Sequence, residues 1–329
     1  METEILPTNS PTELAHAVAR AVELLTAGEP VALPTETVYG LAADALRADA
    51  AVRIFEAKQR PLFDPLIVHL PDLGWLERIA IADSPIVAKL IASFWPGPLT
   101  LILPRREIVP DIVTSGLGTV AVRMSAHPVF CAIATAFGKP LAAPSANPFG
   151  RISPTTAQHV RDGLGGRIPL IVDGGPCAVG IESTIVSADG DRLRILRAGP
   201  ITAEELAPFG AVEFGVAGGV PDAPGQLKSH YAPRTSLRLA DRSTFSVQRS
   251  TFNVGLLAFS SPENAGCFSA VEILSRTGDL REAAATLFAK LRRLDDASLD
   301  LIIAEPVPEH GLGIAIMDRL RKAAADRTN

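Results

Sequence analysis

Hydroxyl, carboxylate and cationic side chains stand at the ends of short apolar runs in this chain. Pro34-Thr35-Glu36-Thr37-Val38-Tyr39-Gly40 follows Val31-Ala32-Leu33, and Arg123 and Ser125 end a run that begins at Thr119. Ser145, Ala146 and Asn147 follow Pro140-Leu141-Ala142-Ala143, while Glu182-Ser183-Thr184 opens a run and Arg197 closes the next, before Gly199-Pro200. Lys58, Gln59 and Arg60 end a helical stretch and meet Pro61. Ligands of open α/β sheets bind at strand ends. Lys58, Arg123 and Arg197 set among hydroxyls make a clamp for a small ligand, not a long basic stripe for a polymer. Taken singly, each residue has a plainer reading. Lys58 complements a helix dipole, and Arg123 serves either an ion pair or a ligand. Ser145 and Asn147 form turns beside prolines, and Thr35 and Thr37 bond their own turn. His69, inside Leu66-Ile67-Val68-His69-Leu70, reads as a satisfied histidine more readily than a catalytic one. The cluster weighs more than its members, because four separate strand ends carry polar groups with no apolar role.

Common catalytic signatures are missing. The chain has no GxxxxGK[ST], no kinase-type glycine loop, no HExxH, no GxSxG and no GxGxxG after a strand. A net charge of −5 and 5% aromatic residues argue against a phosphate-gripping or base-stacking surface. The three cysteines, Cys131, Cys177 and Cys267, form no CxxC pair, so neither a disulfide framework nor a structural zinc site is expected. No apolar run reaches the roughly 18 residues of a membrane span, and Met1–Ser10 does not read as a signal peptide. Together these point to the cytoplasm.

The elements that must position the polar groups alternate along the chain. Ser10-Pro11-Thr12-Glu13 is a capping box with proline at the first helical position. Leu14, Ala17, Val18, Ala21 and Leu25 follow at helical spacing, and Gly28 closes that helix. Strands are expected at 31–33, 66–70, 99–103, 119–124 and 170–173, and helices at 49–58, from Ser84-Pro85 and at 128–137. Segments 183–187 and 193–197 read as a hairpin around Asp189-Gly190. Thr202 and Glu205 form a second capping box. From Phe209 to Pro233 glycine and proline dominate and periodicity stops, which marks a linker. Beyond it, strands at 254–259, 271–274 and 301–304 alternate with helices at 279–297 and 314–324. That rhythm predicts a small parallel-sheet domain. The expected architecture is α/β, with a twisted mixed sheet and helices around a concave site, then a smaller Rossmann-like domain. The expected divisions are 1–208, a linker at 209–235, and 236–329.

These segments together resemble the threonylcarbamoyl-AMP synthase family in its long, two-domain form, with a YrdC-like first domain. The resemblance lies in PTETVYGLAADA at 34–45, KQRPLFDPLIVHL at 58–70, FWPGPLTLIL at 94–103 and VAVRMSAHP at 120–128. It continues through PLAAPSANPFGRISPT at 140–155, VDGG at 172–175, ESTIV at 182–186 and RAGPI at 197–201. GQLKSHYAP at 225–233 and GLGIAIMDRLRKAA at 311–324 resemble the family's linker and closing helix.

The resemblance implies that a threonine carbamate, made with bicarbonate or CO2, attacks the α-phosphorus of ATP and expels pyrophosphate. A separate tRNA threonylcarbamoyl transferase would consume the product at an adenosine beside the anticodon, with at most weak tRNA contact here. It assigns Lys58 and Arg60 the catalytic role. It places Lys58, Arg60, Asp64, Thr119, Ser145, Asn147, Ser153, Arg197 and Tyr231 on the ATP side. Thr35, Thr37, His69, Arg123, Ala143 and Ser183 fall on the threonine side. Mg2+ would ride mainly on the triphosphate, and the linker would act as a lid. Asp64 departs from the family's usual asparagine: it either takes Mg2+ or a backbone amide, or alters ATP affinity. Two other readings remain: an RNA-binding module using the same concave surface, and a carbamoyl-transfer enzyme with a different acceptor.

Overall fold

The structure is a computed structural model that describes residues 2–215, 225, 229–240, 253–262 and 265–325. Strands β1 (Glu4–Pro7), β2 (Val31–Leu33), β3 (Gly40–Asp44), β4 (Ile67–His69), β5 (Leu99–Pro104) and β6 (Thr119–Arg123) belong to one sheet. It also takes in β7 (Leu141–Ala142), β8 (Leu170–Asp173), β9 (Thr184–Asp189), β10 (Arg192–Arg197) and β11 (Ala211–Phe214). Their order is β1-β8-β2-β3-β7-β4-β6-β5-β9-β10-β11, with parallel and antiparallel pairs mixed. A second sheet, wholly parallel, holds β12 (Ser236–Leu239), β13 (Val254–Ala258), β14 (Ala270–Ile273) and β15 (Leu301–Ala304) in the order β12-β15-β13-β14.

Period-two alternation divides the large sheet into two faces. Val68, Val122 and Val186 point to one face, where Ile54 and Phe55 of helix Ala48–Lys58 and Val87 and Leu90 of helix Pro85–Phe94 cover them. Val31, Leu33, Leu141, Leu170 and Val172 point to the other, beneath helices Pro11–Ala27 and Pro128–Phe137. Helix Pro128–Phe137 reaches the end of β4, where Phe130 meets His69, and the rest of β4, β6 and β9 lies beyond the two helices. There the same face carries only a small apolar cluster of Ile67, Ala121 and Ile185, and this is the concave side.

The first helix starts and stops as its sequence requires. Ser10 and Glu13 complete the capping box, and Gly28 takes the left-handed C-cap at φ 84°. The cap contributes about 1 kcal/mol. The hairpin turn falls at Gly190-Asp191, one residue later than the sequence suggests, with Gly190 at φ 57°. Strands β3 and β7 escape the sequence reading because one is a run of small residues and the other is two residues long. Strand β11 lies inside the segment read as linker, yet pairs in parallel with β10 and carries the large sheet to Phe214. Most of the remaining linker lies outside the described residues. None of the described helices is long and apolar enough to cross a membrane.

The two units share a core. Val38, Ile152, Ile181 and Tyr231 pack with Leu287, Phe288 and Leu291 of helix Leu280–Asp295 and Ile316 and Leu320 of helix Leu312–Ala324. Gly180 lies hard against helix Leu280–Asp295. It sits at φ 79°, and a β-carbon there would stand 2.5 Å from the Ala284 carbonyl oxygen and 2.5 Å from Ala285 Cα. Gly180→Ala is expected to cost about 1–3 kcal/mol through this overlap. A thermal melt lowered by several degrees is the expected reading; an unchanged melt would show that the units do not press together at this point.

Candidate active site

A recess opens on the concave side, walled by residues from several strand ends. Parallel pairing of β4 with β6 sets His69 beside Arg123 at the two strand ends. His69 packs on Phe130 with ring centres 4.8 Å apart, which fixes its position beneath helix Pro128–Phe137. Ala143, just past β7, bonds back to Ile67. The turn after β2 is built on Thr35, whose Oγ1 accepts from Thr37 N at 3.1 Å and Val38 N at 3.2 Å. The same oxygen lies 2.8 Å from Thr37 Oγ1. Arg123 donates to Thr37 Oγ1 at 3.3 Å and pairs with Glu36, which also accepts from Ser125 Oγ at 2.6 Å.

A β-bulge aims Arg197. Val186 pairs with Ile195 but Ile185 pairs with Arg197, so Leu196 is the extra residue in β10. Without the bulge, Arg197 would share the helix-covered face of Leu193 and Ile195; with it, Arg197 joins Ile185 on the concave face. Arg197 then donates through Nε to the Ser183 carbonyl and through Nη2 to Ser183 Oγ, both at 3.0 Å. Ser183 Oγ is also 2.8 Å from Thr100 Oγ1.

The helix Ala48–Lys58 ends in a left-handed turn at Gln59, φ 53°, which separates two buried cations. Lys58 does not merely complement the dipole. Its ammonium donates to the carbonyls of Ser145 and Asn147, and so ties down the loop after β7. Arg60 donates to the carbonyls of Asp64 at 3.0 Å and Pro65 at 2.8 Å, and pairs with the Asp64 carboxylate at 2.9 Å. Asp64 therefore meets a guanidinium, an arrangement neither sequence alternative included.

Of the residues named from the sequence, Thr35, Thr37, Arg60, His69, Arg123, Ala143, Ser145, Ser183, Arg197 and Tyr231 line the recess. Lys58, Asp64, Asn147 and Ser153 lie just behind it. Ser153 bonds Glu182, and Asn147 holds its loop through the Arg151 carbonyl at 2.7 Å. Thr119 is half-buried at the far end of β6, outside the lining, on the same face as Arg123 but four residues away. Sequence reasoning missed Ile67 as a wall residue, although it was readable from its two-residue spacing to His69. Glu182 was named among the strand-end polar groups but given no role, because one of its partners is Arg319, 137 residues away.

Burial and neighbouring cations set the charges. Burial, then Arg60, push the Lys58 ammonium well below the ordinary lysine range, against Asp64. Burial, then Arg123, hold His69 neutral, and burial with Arg60 and Lys58 does the same for His230. Burial raises Asp64, opposed by Arg60, Lys58 and Arg197. Burial also acts to raise Glu36, but Arg123 and Ser125 outweigh it and keep that carboxyl below its usual range. Nδ1 of His69, Nε of Arg123 and the Tyr231 hydroxyl have no hydrogen-bond partner among the described residues. Buried polar atoms are normally satisfied, and these three belong to residues that a ligand in the recess would meet. The arrangement suits a small, strongly anionic ligand with an amino-acid-sized end at Arg123 and His69.

The neutral histidines make stability pH-dependent. In the unfolded chain they take up protons near pH 6.5, whereas the folded protein resists protonating them. The unfolded state then binds more protons, so stability falls as pH falls through that value. Melting temperature is expected to drop between pH 7.5 and 5.5. His230→Gln, less stable at neutral pH, is expected to lose part of that slope; an identical slope would show that His230 is not held neutral.

Comparison with known proteins identifies the family. A family described as telomere recombination matches residues 23–199, and the threonylcarbamoyl-AMP synthase C-terminal domain matches 201–325. Threonylcarbamoyl-AMP synthase of Bacillus subtilis is 43% identical over 99% of this chain and 96% of its own length. The Pyrococcus abyssi protein of the same name is 40% identical over 93% of this chain and 94% of its own. The crystal structure of P. abyssi Sua5 complexed with L-threonine superimposes with a TM-score of 0.88 at 37% identity, covering 98% of each chain. The chain belongs to the threonylcarbamoyl-AMP synthase family, in its two-domain form.

Proposed function

We propose that this protein is an L-threonylcarbamoyladenylate synthase, a nucleotidyltransferase that joins L-threonine, bicarbonate or CO2, and ATP, and releases pyrophosphate. The observation that carries the reading is the joining, in one recess, of an amino-acid-sized end to a cationic end. Arg123 with Thr35 and Thr37 forms the first, and Arg60 and Arg197 form the second. Arg123 takes the threonine carboxylate in exchange for Glu36. The threonine ammonium loses one proton to the medium or to neutral His69, its nitrogen attacks the carbon of CO2, and a second proton leaves the nitrogen for the medium, which yields a carbamate. A carbamate oxygen then attacks the α-phosphorus, the bond from that phosphorus to the bridging oxygen breaks, and pyrophosphate leaves. Such a displacement needs positioning and positive charge more than a covalent intermediate.

Arg60 and Arg197 stabilise the charge that develops on the triphosphate. The Lys58 ammonium has three donors, of which two carbonyls take two. Thr119, outside the lining at the start of β6, is assigned to the nucleotide side as part of this proposal. Among the described residues no three His, Cys, Asp or Glu side chains converge as a metal site. Mg2+ usually keeps waters and substrate phosphates as ligands and needs few from protein, so it would arrive on the triphosphate and neutralise part of its charge. The product, a labile mixed anhydride, would pass to a transferase that acts on tRNA. A cytoplasmic setting is part of the proposal, since the product would be consumed on tRNA. An RNA-binding role is the poorer fit, since the recess takes a small molecule.

Pyrophosphate release from ATP is expected to require both bicarbonate and L-threonine, with serine and valine poor substitutes; release that ignores threonine would refute the reading. Arg123→Lys keeps the charge but loses the two-pronged geometry, and is expected to raise the threonine KM roughly tenfold while the ATP KM stays within about threefold. Equal rises in both would remove Arg123 from the threonine side.

A further inference from the structure

Glu182 stands in the wall of the recess, one residue before Ser183, and is 6% exposed. Both oxygens of its carboxylate are engaged. Ser153 Oγ donates to Oε1, and Arg319 Nε donates to Oε2 at 2.9 Å. Arg319 comes from the helix Leu312–Ala324 of the second unit and is 1% exposed. Its Nη1 donates to Asp318 at 2.8 Å, and its guanidinium carbon lies 5.2 Å from the centre of the Tyr231 ring. Tyr231 lines the recess, adopts a left-handed φ of 61° and stacks on Phe288, again from the second unit. A buried ion pair is poor glue: well-packed apolar side chains commonly hold such an interface as well or better. A charged pair at this depth, with one partner in the recess wall, therefore points to a purpose beyond docking.

We infer that Arg319 is a positioning residue for the nucleotide side of the site. It turns the Glu182 carboxylate toward the second unit, so that this anion does not oppose the triphosphate at Arg60 and Arg197. The inference rests on the synthase reading. Loss of Arg319 would leave a buried carboxylate with its charge uncompensated beside Ser153 and within the field of Arg197. That carboxylate would repel the triphosphate and compete for the guanidinium that receives it. Because Arg319 arrives only with the second unit, the first unit's site is electrostatically complete only when the two are docked.

The test is calorimetric titration of the full-length chain with ATP and, separately, with L-threonine. The variants are Arg319→Met, Arg319→Lys and the double variant Arg319→Met/Glu182→Gln, each with a thermal melt. Arg319→Met is expected to weaken ATP at least roughly tenfold and threonine by less than about threefold. Arg319→Lys keeps the charge and is expected to retain most of the ATP affinity. The double variant removes the stranded anion and is expected to restore it. A merely structural Arg319 gives another pattern: ATP and threonine affinity fall together, follow the melting temperature, and are not restored by Glu182→Gln. That pattern, or unchanged ATP affinity in Arg319→Met, overturns the inference. If Arg319→Met does not fold, the double variant decides, with parent-like ATP affinity in favour and weakened affinity against. A parent chain that binds no ATP refutes the synthase reading directly, and the inference falls with it.

Discussion

Buried positive charge is the constraint on which the rest of this structure depends. Lys58, Arg60, Arg123 and Arg197 are each between 1% and 8% exposed, at one end of one sheet face. Removing such ions from water is expensive by several kcal/mol apiece unless they are engaged. Two kinds of partner are used. Carbonyls of Ser145, Asn147, Asp64, Pro65 and Ser183 hold cations through their dipoles. Dipoles satisfy donors without cancelling charge, so a net positive field survives for an anion. Carboxylates of Glu36, Asp64 and Glu182 do cancel charge, and each is itself held by protein groups. The fold serves this balance: parallel pairing brings His69 to Arg123, and the loop after β7 offers its carbonyls to Lys58.

The second unit belongs to the same balance. Its helices complete a core that includes Val38, which belongs to the Thr35 turn, and Ile181, next to Glu182. The chain between the sheets returns at His230 and Tyr231, where the His230 amide bonds the Lys322 carbonyl. Lys322 Nζ in turn holds the Gly225 carbonyl at 2.7 Å. Two wall residues of the recess are thus fastened to the closing helix and not to the sheet they face.

Much of this was legible in the sequence where local physics decides. The capping boxes at Ser10 and Thr202, the period-3.6 stripe Ala283, Leu287, Leu291 and Leu294, and the apolar runs of β13 and β15 each form as read. The polar strand ends also converge, because alternation and parallel pairing carry them to one side. What stayed hidden depends on contacts far apart in the chain. Nothing near Lys58 shows that its partners are carbonyls almost ninety residues on, and nothing near Glu182 shows Arg319. Strand β3, Gly40–Asp44, has no alternation because it is buried on both faces, which removes the signal a half-exposed strand would give.

The bulge in β10 has a consequence for how this site can vary. Arg197 faces the recess only because one extra residue, Leu196, resets the parity of the strand. Parity is a counting property, not a chemical one. Losing Leu196 would leave the arginine directly after Ile195, and plain alternation would still carry it to the concave face. What turns the guanidinium to the apolar side is a bulge ironed flat at constant length. This short stretch can therefore change in count more safely than it can lose the backbone conformation that the extra residue needs.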